Sequence, residues 1–234
     1  MPLNRSALAI TLALLSLVAS AQGMAATVFN IPDASRQYAA RIEVESCEAD
    51  ACSGPATVQL LDRATGQPLQ SFKTEDLSIM LDHAKPAVNN TQLYSDQSAI
   101  IIADFNFDGS ADLAIRNGNN SGYSGPSYDV YVYNVTRKQF VPSAELTDLA
   151  SSKLGMFQID PKRRRLITYE KSGCCWHLTT EYAVVPRKGL VSVYTLEEGM
   201  RTDGELIDVT TSKLVNGRWQ SKTRTYRVDK YYKN

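Results

Sequence analysis

The sequence predicts an all-β protein with mostly antiparallel sheets, in a sandwich or a small propeller-like arrangement, and an acidic loop between two strands. Two observations predict this fold class. Short segments of alternating apolar and polar residues follow one another along most of the chain, and turn-forming residues separate them. Because each short turn reverses the chain, neighbouring strands are expected to pair in opposite directions.

The first 26 residues have the features of a signal peptide that is removed on export. Arg5 gives a positive start, residues 7–18 are apolar, and residues 19–21 or 24–26 offer small-residue cleavage sites. The apolar run is shorter than the roughly 20 residues that span a bilayer, so no transmembrane segment is expected. We therefore expect a soluble periplasmic protein. Residues 27–234 should form a single β domain, since no linker rich in Pro, Gly or Ser divides them.

The predicted strands follow one another as hairpins, with one short helix at residues 144–150. Residues 74–88 and 197–204 are predicted to be long connections. The strongest turn signal is Asn216-Gly217, a pair that suits a type I′ turn between two strands. The predicted strands are residues 38–45, 57–61, 69–72, 98–103, 113–115, 129–133, 157–159, 166–169, 182–185, 190–194, 211–215 and 218–227.

Charge and side-chain chemistry favour a binding protein over an enzyme. The 25 basic and 25 acidic residues give no net charge, so the chain has no basic field for nucleic acid. His83 and His177 are the two histidines, and neither lies in a motif that makes a catalytic base. Ser124 resembles a nucleophile elbow, but Pro126 replaces the second glycine that this motif needs. Paired carboxylates for glycoside hydrolysis are an alternative, but a cation explains the clustered acids better.

Four cysteines in an exported protein are expected to be oxidised. Their spacing favours two local disulfides, Cys47 with Cys52 across a turn and Cys174 with the adjacent Cys175. The two crossed pairings stay open, because four cysteines allow three connectivities. A metal site formed by the adjacent cysteines and His177 is disfavoured, since thiolates tend to be lost to disulfides in an oxidising compartment.

Residues 104–112, here called the acidic turn, have the pattern D-x-N-x-D-G-x-x-D between two apolar segments. Oxygen ligands at this spacing suit Ca²⁺, which accepts six to eight of them. Gly109 lies where the loop must bend sharply. The alternative is a turn closed by Asx hydrogen bonds without a metal. The predicted calcium ligands are Asp104, Asn106, Asp108, the carbonyl group of Ser110, and Asp112.

Residues 117–128, here called the binding loop, are rich in Gly, Asn and Ser and contain two tyrosines. Such a mixture is typical of recognition loops, in which hydroxyl groups adapt and tyrosines give rigid contact area. Arg116 at the root of the loop is expected to pair with a carboxylate of a partner. The alternative is a solvated connection of a hairpin, without a binding role.

Three motifs together resemble one family. Residues 103–109, 121–131 and 173–177, in this order behind a signal peptide, are similar to periplasmic proteins related to the bacterial inhibitors of invertebrate-type lysozyme. That family includes immunity proteins against peptidoglycan-hydrolase effectors of the bacteria-killing type IV secretion system. The similarity extends from about residue 98 to the end of the chain. Some relatives of the immunity type are lipoproteins, whereas no cysteine follows this signal segment to carry a lipid.

The resemblance implies an all-β fold, a calcium-bound loop, and an inhibitory loop that enters the cleft of the hydrolase. By position, the inhibitory loop comprises Ser121, Gly122, Tyr123, Ser124, Ser127 and Tyr128. Its contacts are expected from Ser124, Ser127 and Tyr128, with Tyr123 beside them. The predicted function is therefore inhibition of a lysozyme-like peptidoglycan hydrolase by a calcium-binding periplasmic protein. The alternative is a secreted, calcium-stabilised module that binds carbohydrate or another surface.

Overall fold

The structure, a computed structural model, describes residues 26–233. The predicted signal peptide at residues 1–26 therefore lies outside the described residues except for Ala26. The described residues form fifteen strands in three sheets, and every ladder within these sheets is antiparallel. The predicted all-β, mostly antiparallel fold class is confirmed.

The N-terminal sheet is a meander of five strands in the order β1-β2-β3-β4-β5. Its strands alternate between buried apolar and exposed polar side chains, as expected for a sheet with one wet face. The strands are β1 Thr27–Ile31, β2 Tyr38–Glu48, β3 Ala51–Asp62, β4 Pro68–Asp82 and β5 Lys85–Pro86.

The middle sheet has four strands in the order β6-β7-β8-β9, and a helix follows it. The acidic turn joins its first two strands, and the binding loop joins the second to the third. The strands are β6 Ile100–Ala103, β7 Asp112–Arg116, β8 Tyr128–Asn134 and β9 Gln139–Pro142, and the helix is α1 Ala144–Ser151. The helix confirms the short helix predicted at residues 144–150.

The C-terminal sheet has six strands in the order β10-β11-β12-β13-β14-β15. A type I′-like pair, Asn216 and Gly217 with φ of 50° and 76°, joins its last two strands as predicted. The strands are β10 Gln158–Asp160, β11 Arg165–Ser172, β12 Trp176–Val185, β13 Gly189–Met200, β14 Leu206–Val215 and β15 Arg218–Arg227, and the short helix α2 Val228–Tyr231 ends the fold.

The middle sheet is buried because both of its faces are covered. Ile100 and Ile102 on one face pack with the N-terminal sheet. Ile101, which points to the other face, packs with α1 and the start of the C-terminal sheet. Successive residues of a strand point to opposite faces, so a strand covered on both sides is apolar throughout. The continuous apolar run at residues 100–102 is explained in this way, and the acidic turn and the binding loop both begin on buried strands.

Two predicted connections are wrong. Residues 74–88 are mostly strand, since β4 continues to Asp82 and β5 follows. The register between β3 and β4 shifts between Gly54 and Ala56, and Glu75 and Asp76 of β4 lie opposite this shift. These two acidic residues interrupt the alternation of apolar and polar side chains in β4 without ending the strand. Residues 197–204 are also partly strand, because β13 reaches Met200 and pairs there with β14.

The two local disulfides are present, Cys47 with Cys52 and Cys174 with Cys175, which confirms the favoured pairing. Residues 26–233 contain no free cysteine. Over the same part of the chain, none of the helices has the length and apolar composition needed to cross a membrane.

Strand β15 forms one edge of the C-terminal sheet and is exposed along nearly all of its length. Arg218, Lys222 and Arg224 lie at even spacing along it and therefore share one face.

Candidate functional site

The acidic turn closes on itself through its own side chains. The carboxylate of Asp104 accepts hydrogen bonds from the backbone amides of Asp108 (3.1 Å) and Gly109 (2.9 Å). The Asn106 Oδ1 accepts from the Asp108 amide at 3.0 Å, and Asp108 Oδ1 accepts from the Ser110 amide at 2.8 Å. Gly109 has a φ of 95°, a conformation that glycine adopts without strain. These bonds hold four oxygens of three side chains, those of Asp104, Asn106 and Asp108, close to the interior of one turn.

Asp112 is held differently, because it is fully buried at the start of β7. Its carboxylate accepts hydrogen bonds from three backbone amides, those of Phe105 (2.8 Å), Asn106 (3.3 Å) and Tyr133 (2.9 Å). Burial raises the pKa of this carboxyl group to about 6, although the three amides act in the opposite direction. Asp112 therefore ties the acidic turn to β8.

The acidic turn brings the predicted ligands Asp104, Asn106 and Asp108 together, and Asp112 is bonded to two backbone amides of the same turn. Within residues 26–233, no group of three or more His, Cys, Asp or Glu side chains is close enough to hold a metal ion. Asp104 and Asp108 share the turn with the amide oxygen of Asn106, whereas three amides occupy most of the roughly four lone-pair positions of Asp112. The donor set that fits a hard cation is therefore Asp104, Asp108 and neutral oxygens.

The base of the binding loop is buried, which corrects the predicted contacts of Ser127 and Tyr128. Tyr128 has no exposed surface, and its hydroxyl group donates a hydrogen bond to the Ser98 carbonyl at 3.0 Å. Ser127 is 1% exposed, and its hydroxyl oxygen accepts from the Asn120 amide at 3.2 Å. Neither side chain is available to a partner in this conformation, since both pack inside the loop or beneath it.

Arg116 is also part of the base and not a contact for a partner. Its side chain is buried and donates hydrogen bonds to the Gly118 carbonyl and to Oδ1 of Asn119. The sequence correctly placed Arg116 at the root of the loop. Its guanidinium group is directed back to the loop itself, because the backbone carbonyl and amide oxygens of the loop need donors.

Two glycines allow the loop to lie against its neighbours. The Gly122 amide donates to the Lys153 carbonyl at 2.7 Å, and a Cβ at Gly122 would lie 2.9 Å from that oxygen. At Gly125, a Cβ would lie 2.8 Å from the buried hydroxyl oxygen of Ser121. These distances are shorter than normal contacts, so both positions require glycine for close approach and not for a special φ.

The tip of the loop is exposed and has an unusual backbone. Tyr123 and Ser124 have φ values of 57° and 55°, in the left-handed region that few non-glycine residues adopt. The Tyr123 side chain is 61% exposed, and its hydroxyl oxygen accepts a hydrogen bond from the Gly173 amide at 2.8 Å. Strained residues of this kind persist only where the surroundings hold them, and they are frequent at functional sites.

The bond between Tyr123 and Gly173 brings two of the three sequence motifs together. Gly173 precedes the Cys174–Cys175 disulfide in the turn between β11 and β12. The first motif is attached to the same sheet at another turn, where the Arg164 side chain lies over the Phe107 ring, 5.9 Å from its centroid. All three motifs of the proposed family therefore contact the C-terminal sheet or belong to it.

Tyr94 and Lys171 complete this surface, and neither residue belongs to a motif of the sequence. The Lys171 Nζ lies 4.6 Å from the ring centroid of Tyr123 and 5.3 Å from that of Tyr94. Tyr94 is 72% exposed. We call Tyr94, Tyr123 and Lys171 the tyrosine–lysine patch. No local spacing signals it, because the three residues come from separate segments of the chain.

Comparisons with known proteins place the fold but not a family. No protein-family model matches the chain, and a search of curated proteins also finds no match. A solved structure described as a Xanthomonas type IV secretion system related protein is similar, with a TM-score of 0.63 and 20% sequence identity. The similarity covers 84% of this chain and 93% of that chain. At this identity the likeness shows a shared fold, and the resemblance to lysozyme inhibitors stays a prediction.

Proposed function

We propose that this protein is an exported, immunity-type inhibitor of a lysozyme-like peptidoglycan hydrolase, and that it acts without catalysing a reaction. The tip of the binding loop, Tyr123 and Ser124, enters the active-site cleft of the hydrolase. Ser127, Tyr128 and Arg116 support the loop from below. The observation that carries the proposal is the exposed tip, held in a strained conformation by Gly173 and Lys153.

A loop of this kind suits the inhibition of an enzyme. Because its base is buried and its tip is bonded to a second part of the fold, little conformational entropy is lost when it binds. An exposed tyrosine supplies a large and rigid contact area, and the serine hydroxyl group can pair with polar groups of a sugar-binding cleft. The description of the structural neighbour as a type IV secretion system related protein is compatible with the secretion-system setting that the sequence resemblance implies.

We further propose that the acidic turn binds Ca²⁺ through Asp104, Asn106, Asp108 and the Ser110 carbonyl. Two carboxylates in one short turn repel each other, and a cation would offset that repulsion. The ion would fix the end of β6 and the start of β7, the strand from which the binding loop departs. Asp112 would support the site indirectly, because its buried carboxylate accepts hydrogen bonds from the Phe105 and Asn106 amides of the turn. Calcium would then contribute to inhibition indirectly, by stabilising the middle sheet.

The test is a turbidity assay of cell-wall suspensions with a panel of purified lysozymes of the invertebrate, chicken and goose types and a lytic transglycosylase. The wild-type protein should slow at least one of them. Tyr123→Ala should weaken inhibition about thirtyfold, which corresponds to about 2 kcal/mol for an interface hot spot. Tyr232→Ala is the matched control, since Tyr232 is 53% exposed near the end of the chain.

Two outcomes would contradict the proposal in different ways. If the wild-type protein inhibits a hydrolase and neither Tyr123→Ala nor Ser124→Ala changes the inhibition, another surface makes the contact. If no hydrolase is inhibited and peptidoglycan fragments bind instead, the protein is a carbohydrate-binding module. The two exposed tyrosines, Tyr94 and Tyr123, are the feature that favours this second candidate.

A further inference from the structure

The ammonium group of Lys171 has a charge that the described residues do not neutralise. Among residues 26–233, no carboxylate lies within 4.0 Å of its Nζ. Lys153 nearby is different, because its Nζ pairs with the Glu170 carboxylate at 2.8 Å. Glu170 and Lys171 are successive residues of β11, so they point to opposite faces of the sheet. The side of the sheet that carries the binding loop therefore keeps a free positive charge.

The two tyrosine rings hold this charge in place but leave its hydrogen-bonding groups unused. An ammonium group is attracted to an aromatic face. It also has three N–H donors, for which ring faces are poor substitutes for oxygen acceptors. Tyr94 and Tyr123 therefore orient the Lys171 ammonium beside the tip of the loop, where an acceptor from a partner can approach it.

A cavity beside the patch offers room for such an acceptor. It has a volume of about 190 Å³, and both tyrosines and Lys171 belong to its lining. Leu93, Pro126 and Leu154 contribute apolar surface to the same cavity. A charge pair that forms against such walls is less exposed to water and therefore stronger than one on an open surface.

We propose that the tyrosine–lysine patch receives a carboxylate from the active-site cleft of the hydrolase. The inference rests on the proposed function and adds the charged contact that the loop itself lacks. Glycoside hydrolases use a pair of Asp or Glu residues beside the bond that they cleave. When the loop tip enters the cleft, Lys171 donates hydrogen bonds to one of these carboxylates, while the tyrosines shield the pair from water.

A carboxylate fits the patch better than a sugar ring. A sugar is bound by stacking on an open aromatic face, and the ammonium of Lys171 already lies over one face of both tyrosines. A bound sugar would also leave the positive charge without a counter-charge. The patch therefore favours an anionic protein group, and competition by neutral oligosaccharides should be weak.

The experiment measures the dissociation constant of the complex by calorimetry, with the hydrolase that the turbidity assay identifies. Lys171→Met removes the charge and keeps an unbranched side chain, and we expect Kd to rise about tenfold or more, as for a lost charge-assisted hydrogen bond. Lys171→Arg should keep Kd within about threefold. Lys213→Met is the matched control: Lys213 is on β14, and its Nζ lies 5.8 Å from the ring centroid of Tyr194 on β13, away from the loop.

The outcomes separate this inference from the proposed function. If wild type binds the hydrolase and Lys171→Met binds equally well, the inference is wrong and the proposed function stands. A loss of affinity that Lys171→Arg shares in full would also overturn it, since charge would not be the cause. If no hydrolase binds the wild-type protein, both fall. Replacing the catalytic carboxylates of the hydrolase by amides should remove the difference between wild type and Lys171→Met.

Discussion

The acidic turn and the binding loop both leave β7, but they are held by different kinds of contact. Most side-chain hydrogen bonds in the acidic turn join residues at most seven positions apart. The exceptions are the bond from the Tyr133 amide to the Asp112 carboxylate and the bond from the Arg164 side chain to the Phe107 carbonyl. The binding loop depends on partners 30 and 50 positions away, through Tyr128 with Ser98 and Tyr123 with Gly173. The acidic turn is therefore shaped mainly by its own sequence, and the binding loop mainly by the rest of the fold.

Among the variants of the two loops, Tyr128→Ala is expected to lower the stability of the protein most. Because Tyr128 is fully buried, the change should lower the free energy of unfolding by about 3–5 kcal/mol, as for other buried aromatic residues. Urea denaturation measures it. Tyr123→Ala is the control and should cost about 1–2 kcal/mol, since one exposed hydrogen bond and one exposed cation–π contact are lost. Equal losses of unfolding free energy in the two variants would show that the tip of the loop contributes as much to stability as its base.

Calcium should act on the acidic turn and leave the contacts of the binding loop unchanged. With free Ca²⁺ at a hundred times Kd, binding to the folded state alone adds about 2.7 kcal/mol to the free energy of unfolding. Thermal melts in chelator and in excess calcium measure the difference. Asp104→Asn should remove most of it, whereas Tyr123→Ala should retain it. Identical melting curves for the wild-type protein would contradict the calcium proposal.

The smallest effect concerns the single bond between the loop tip and the turn at Gly173. Tyr123→Phe removes the hydroxyl group that accepts from the Gly173 amide and keeps the ring over Lys171. The local cost should be about 1 kcal/mol, seen as roughly fivefold faster hydrogen exchange of that amide. Exchange within the acidic turn serves as the internal control. An unchanged rate at Gly173 would mean that the bond does not anchor the tip.

The features that the sequence predicted correctly are those set by nearby residues. The Asn216-Gly217 hairpin, the local disulfides and the short helix all depend on contacts within a few positions. The spacing of the acidic turn also placed Asp104, Asn106 and Asp108 around one turn. Asp112 could not be placed in this way, because one of its three partners is on β8.

The features that the sequence did not predict depend on distant partners. Tyr123 and Tyr128 are the two tyrosines of the binding loop, and no sequence pattern distinguishes them. Tyr123 is 61% exposed, whereas Tyr128 is fully buried. The difference arises because Tyr128 begins β8, and the paired β6 and β7 place the Ser98 carbonyl beneath it. The position of Lys171 between two tyrosines also depends on distant partners. Three separate segments of the chain must fold together before the tyrosine–lysine patch forms.

The charged edge strand β15 has a consequence for the behaviour of the protein at high concentration. An exposed sheet edge has free backbone donors and acceptors, and it can recruit the same edge of another copy into a continuous sheet. Pairing of two β15 strands would bring the rows formed by Arg218, Lys222 and Arg224 close together, and like charges at cross-strand distances repel. The β15 edge of the six-stranded sheet should therefore resist pairing with the same edge of another copy.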